Sequence, residues 1–262
     1  MKRIKLIISY DGTNYCGWQL QPGKPTVEAV LNKTLSKLLG KEIVVIGASR
    51  TDSGVHALGN VAVFDTESRM AADKFTPALN QRLPLDIRIQ SSIEVPPDFH
   101  PRRVVNYKTY EYRILNRKIA IPTERLYTTF VYYNLDVSLM QAGANYLVGE
   151  HDFKSFCSTQ TRSLDTVRTI HRLEVTKTGD VITISVTGNG FLYNMIRIIA
   201  GTLMKIGRGT WPPEIILDIL KGLDRELAGP TALPPGLTLI KVEYPDLTKK
   251  LLHLDIDDDA IE

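Results

Sequence analysis

Arg50 and Asp52 flank Thr51 in the run GASRTDSGVHALG, Gly47 to Gly59. A guanidinium two residues from a carboxylate favours the ionised acid and lowers its pKa, which suits a nucleophile better than a general acid. Ser53-Gly54 permits a tight turn that presents the carboxylate outward, while Val55 and Ala57 return the chain to the core. The same triplet also reads as a structural ion pair or an Asx-turn that ties the loop.

A second charged residue stands where charge is costly. In FLYNMIRIIAGTLM the residues Leu192, Met195, Ile196, Ile199, Leu203 and Ile206 form a wide apolar stripe at helical spacing. Arg197 shares the opposite side with Tyr193, Asn194 and Gly201. A cation in so apolar a helix calls for an anion, and Asp52, a phosphate or solvent are the options.

The stretch from Arg102 to Lys118 carries six bases, one acid and three tyrosines in seventeen residues. Such interleaving suits a nucleic-acid face, where Lys and Arg neutralise phosphates and rings stack on bases. Strand alternation puts Lys108, Tyr110 and Tyr112 on one face and Tyr107, Thr109 and Arg113 on the other. Tyr107 and Tyr112 read equally well as core.

These residues need elements to hold them. RIKLIISY alternates as a strand; Thr26 to Leu39 has helical spacing with Thr26 as N-cap and Gly40 as stop. Residues 43–47 read as a buried strand that ends at the Arg-Thr-Asp loop. NVAVFDT, a helix near 72–82 and DIRIQSSIEV follow, giving a ferredoxin-like order. The Pro-rich EVPPDFHPRR marks a boundary at 96–103. The second part repeats the order loosely, with strands at 106–116 and 124–133, a helix at 136–148, strands at 170–177 and 181–187, helices at 191–207 and 213–222, and a last strand at 237–244. The domains are therefore expected at 1–103 and 104–262.

Composition narrows the function classes. The 43% hydrophobic content of 262 residues argues against disorder. The last eight residues, Asp255 to Glu262, hold five acids and no base, so without them the formal charge rises from +3 to +8, as a polyanion binder would have. That acidic tail reads as solvated. Cys16 and Cys157 are far apart and read as core thiols in a reducing compartment. His151-Asp152 is an adjacent pair whose side chains point apart on a regular element, a poor metal site. No P-loop, H-E-x-x-H or strand-linked G-x-G-x-x-G is present, and no apolar run approaches a membrane span. The chain is expected to be cytoplasmic.

Read together and in order along nearly the whole chain, YDGTNYCGWQLQ, SRTDSGVHALGNVAVF, PDFHPRR, KTYEYRILN, DFKSF and NGFLYNMIRIIAGTLMKIGRG resemble the TruA-type tRNA pseudouridine synthases. The resemblance implies an α+β fold of two ferredoxin-like or RRM-like domains, with antiparallel sheets flanking a basic catalytic cleft. It implies that Asp52 is the catalytic aspartate, Arg50 its active-site neighbour, Tyr110 the ring beside the target base and Arg197 the arginine that pairs with the aspartate. Arg102, Lys108 and Arg168 are candidates for holding phosphates. The implied substrate is tRNA, at uridines 38–40 of the anticodon stem-loop, bound by a homodimer, with neither metal nor organic cofactor. One departure is Ser49, where the family commonly has glycine before R-T-D. Attack by the carboxylate at C6 of the base, attack at C1′ of the sugar and removal of a sugar proton all remain open. The rival readings are a non-catalytic RNA-binding or RNA-chaperone protein with two RRM-like domains, and a glycosidase.

Overall fold

The computed structural model describes residues 1–159, 165–245 and 247; the acidic tail at 255–262 lies outside them. Its first half runs β1 (Lys2–Tyr10), α1 (Val27–Leu39), β2 (Ile46–Gly47), β3 (His56–Thr66), α2 (Phe75–Asn80) and β4 (Ile87–Val95). The second runs β5 (Tyr107–Asn116), β6 (Thr129–Val131), α3 (Val137–Asn145), β7 (Gly149–Asp152), β8 (Val167–Thr178), β9 (Val181–Gly188), α4 (Met195–Gly207), α5 (Ile215–Gly222) and β10 (Leu237–Glu243).

Strand alternation places Ile4, Leu6 and Ile8 of β1 fully inside, under Leu31 and Leu35 of α1, which are also fully buried. Each such side chain contributes about 1.5–3 kcal/mol on burial. Ile7, on the other face of β1, packs with a smaller cluster around Val61, Val63, Val95, Phe99 and Tyr244. Thr26 caps α1 through its Oγ1, and Gly40 ends it in the left-handed region at φ 68°.

The halves share a strand order. β4-β1-β3, with β2 pairing β3, is answered by β10-β5-β9-β8, extended by β7. Each is the ferredoxin-like order, in which the two central strands are flanked by the products of two crossovers. The sheets are not separate. β10 lies parallel to the start of β3, Thr238 opposite His56 and Leu239 opposite Ala57, so all ten strands form one sheet. Every other pairing is antiparallel except β5 with β6.

Several elements are shorter than their apolar patterns suggest. The strand expected at 43–47 is reduced to Ile46–Gly47. Ile43 and Val45 are buried, but their N–H groups bond to Ser36 Oγ and Asn32 Oδ1 of α1 at 2.9 Å each rather than to a strand. The strand expected at 124–133 is only Thr129–Val131, because Glu124 O accepts from Tyr127 N–H and Thr128 Oγ1 and closes a turn. The helix expected from 191 starts at Met195, since Asn194 adopts φ 61°. β7 has no signal in an alternating pattern. No helix among the described residues is long and apolar enough to cross a membrane.

Candidate active site

The Arg50-Thr51-Asp52 loop joins β2 to β3 and is held from below by the loop after β1. Trp18 N–H donates to Thr51 O at 3.0 Å, Gly54 N–H donates to Tyr15 O at 3.2 Å, and Val55 N–H closes the turn onto Asp52 O at 3.1 Å. Gly17 allows this approach: its φ is +85°, and a Cβ there would stand 2.5 Å from Thr51 O. Ser49 does not adopt a positive φ, so the departure from glycine costs the loop no backbone strain.

A buried amide fixes the loop from the side. Asn60 on β3 has no exposed surface. Its Oδ1 accepts from Ser49 N–H (3.3 Å) and Val61 N–H (2.9 Å), and its Nδ2 donates to Ser49 O (3.1 Å) and the Tyr10 hydroxyl (3.3 Å). Tyr10 in turn bonds Thr51 Oγ1 at 2.7 Å. Asn60→Ala is expected to lower the unfolding free energy by about 1–3 kcal/mol, because both backbone groups of Ser49 lose their partner in a dry site. Urea denaturation measures this, and an unchanged midpoint would show that the amide is not what holds the loop.

The partner of Asp52 comes from α4. Arg197 Nη1 lies 3.5 Å from Asp52 Oδ2, with 15% of the arginine and 20% of the aspartate side chain exposed. The guanidinium is held on two other sides: Nε donates to Ala232 O at 2.7 Å and Nη1 to Asn194 Oδ1 at 2.8 Å. The chain reaches Ala232 by crossing α4 at Gly201, where a Cβ would be 1.8 Å from Pro230 O. That crossing explains why α4 is buried almost all round, and why the side expected to be polar is covered.

The expected electrostatics change in sign and in source. Asp52 has its pKa raised, by burial first, with Arg197 pulling it back down; the lowered pKa expected from Arg50 is not found. Arg50 is exposed and lines the same cavity, without an ion pair to Asp52. Burial removes water from the carboxylate more effectively than one cation at 3.5 Å restores its charge.

A cavity of about 800 Å³ opens over Asp52. Arg50, Asp52, Tyr110, Arg168, Phe191 and Asn194 line it, with Gln19, Gln21 and Lys24 from the loop before α1. Tyr110 is 7% exposed, meets Phe191 edge to face at 5.5 Å, and has its hydroxyl pushed well above the usual phenol range, chiefly by burial. It is therefore a neutral ring next to a charged pair. Arg102 and Lys108 border a smaller adjoining cavity.

The structure thus brings Arg50, Asp52, Tyr110 and Arg197 to one place, with Arg168 at its edge and Arg102 and Lys108 next door. Tyr112 is core instead, fully buried with its hydroxyl on Leu233 O, while Tyr107 is half-buried against His171. His151 Nε2 contacts Val148 O, and Asp152 Oδ1 accepts from Lys154 N–H and Thr166 Oγ1, so that pair ties its own turn. Cys157 is buried as expected, but Cys16 is half-buried and lines the cavity. Sequence reading gave no role to Asn60 or Phe191, and it placed Asn194 beside Arg197 without assigning it one. For Asn194 the available signal was a polar residue one turn before Arg197; Asn60 and Phe191 gave none beyond strand and turn composition.

The tRNA pseudouridine synthase family model matches residues 6–102 and 144–245. Proteins named tRNA pseudouridine synthase A are similar over 93% of this chain and all of their own length: 49% identical in Ruminiclostridium cellulolyticum, 46% in Thermoanaerobacter sp. (strain X514) and 46% in Brevibacillus brevis. Matched over more than half its length and so closely related to these enzymes, the chain belongs to the tRNA pseudouridine synthase family, a family of isomerases.

Proposed function

We propose that this protein isomerises uridine to pseudouridine in the anticodon stem-loop of tRNA, at positions 38–40, with Asp52 as the catalytic carboxylate. The observation that carries the reading is the desolvated Asp52 facing Arg197 at the floor of a cavity beside a buried tyrosine. Pseudouridine formation breaks the N1 glycosidic bond, turns the uracil and joins C5 to C1′. The reactant and product are isomers, so no redox partner is consumed.

A uridine in a stem must leave the stack before a carboxylate reaches it, at a cost of a few kcal/mol. Tyr110, braced by Phe191, supplies a face for the extruded base. Asp52, stripped of most of its water, is a stronger nucleophile or base once ionised than a solvated carboxylate. Arg197 favours the ionised form and then faces whatever negative charge leaves Asp52 during the reaction. Arg50, at the exposed mouth, and Arg102, Lys108 and Arg168 meet the phosphates. The same reading treats 1–103 as the domain that carries the catalytic loop and 104–262 as the one that completes the cleft, in a cytoplasmic homodimer.

The test is tritium release from unmodified tRNA carrying [5-³H]uridine. Release without free uracil is expected, since C5 loses its hydrogen while the base stays on the chain. Uracil in the mixture would instead mean a hydrolase, and no release from folded, tRNA-binding protein would leave an RNA-binding protein.

A further inference from the structure

Beside the uridine cavity lies a second one, of about 260 Å³, that shares Arg50, Tyr110 and Phe191 with it and is otherwise bordered by Ser49, Arg102 and Lys108 among its polar residues. Among the described residues, no carboxylate lines it. Ser49 is 3% exposed, and its hydroxyl lies within reach of the Tyr110 phenol. A hydroxyl that accepts from the phenol keeps its own proton to donate to an anion held by the three cations that border the cavity.

We propose that Ser49, Arg50, Arg102 and Lys108 form a phosphate pocket that seats an RNA backbone phosphodiester next to the extruded nucleotide. The proposal rests on the RNA-isomerase reading above and adds a defined anion site to it. Tyr110 and Phe191 form the wall between base and phosphate, so a nucleotide turned out of the stack has its ring on one side of that wall and its backbone on the other.

Lys108 is the titratable member. Among the described residues its Nζ donates only to Ala48 O, at 3.3 Å. It faces Arg102 from the segment after β4 and Arg168 from β8, and Arg50 borders the same cavity from the catalytic loop. Burial first, then the charges of Arg102 and Arg168, bring its pKa down to about 8. A phosphodiester supplies the missing anion and stays ionised throughout the neutral range. Lys108 is therefore charged, and binding is strong, below that value; the contact weakens as pH rises through it.

The experiment is tRNA binding by anisotropy between about pH 7 and pH 9, and across a salt series. Wild-type affinity is expected to fall by up to about tenfold over that range, as one coupled proton is lost. Lys108→Met is expected to bind more weakly, with a flat profile and a salt slope smaller by about one phosphate contact. Lys177→Met, which removes an equal charge at an exposed site on β8, is expected to match the wild type. The flat profile of Lys108→Met assigns the change to that lysine. Lys108→Met with the wild-type pH profile and salt slope would overturn the pocket and leave the isomerase reading intact; folded wild type that binds no tRNA would remove the isomerase reading itself. Should Lys108→Met not fold, Ser49→Ala, which deletes one oxygen, is expected to weaken binding severalfold at unchanged salt slope, and unchanged affinity there overturns the proposal.

Discussion

Asp52→Asn is expected to abolish tritium release, with a loss of at least about 10⁴-fold, while tRNA affinity stays within roughly tenfold, or about 1.4 kcal/mol. The substitution keeps the shape of the side chain and removes its ability to act as nucleophile or base. It leaves the loop intact, because the loop is held by Thr51, Ser49 and the backbone of Asp52 rather than by its carboxylate. Single-turnover assays with bound tRNA separate the two quantities. Equal loss of binding and turnover would assign Asp52 a structural role, and retained turnover would move the chemistry to another residue.

Arg197→Met is the second large effect. At neutral pH turnover is expected to fall by about 10²–10³-fold, the scale for loss of one preorganised charge-stabilising group. The pH profile carries the sharper information. The folded pKa of Asp52 is already raised, with desolvation outweighing Arg197; without the cation it rises further. Activity that depends on the ionised form increases with pH through that value, so the acid limb of kcat/KM moves to higher pH in Arg197→Met. A limb that stays in place while kcat falls would show that Arg197 does not set the protonation of Asp52. Stability runs the opposite way: a carboxyl with a raised folded pKa favours folding more at acid pH and loses that contribution as pH rises through the raised value. Arg197→Lys is expected to restore only part of the profile, because one ammonium does not reproduce the guanidinium fork that engages Ala232 O and Asn194 Oδ1 while facing Asp52.

Both predictions depend on a pairing that crosses most of the chain. The sequence marks each end of it. Asp52 stands in a loop between an apolar run and a strand, and Arg197 stands in a helix too apolar to leave it without an anion. The basic stretch around Tyr110 is equally visible. What local pattern gets wrong is the electrostatics: the near neighbour in sequence, Arg50, projects to the surface, and the distant Arg197 faces the carboxylate. A residue two positions away in a turn shares no fixed direction with its neighbour, whereas a helix anchored by Asn194 and Ala232 does fix the guanidinium.

The elements divide in the same way. Alternation in β1, the caps of α1 and the boundaries of β5 and β10 follow from residue type, because burial and capping are local demands. The shortening of β2 does not, since Ser36 and Asn32 of α1 take its backbone donors. By itself, then, the sequence determined the ferredoxin-like order of each half, the family resemblance and the candidate carboxylate, Asp52. Only the tertiary structure decided that the halves share one sheet through β10 on β3, that Gly201 lets the chain cross α4 to brace Arg197, and that Asp52 is desolvated. Those outcomes depend on which surfaces meet across long separations, and that information resides in packing rather than in any run of neighbouring residues.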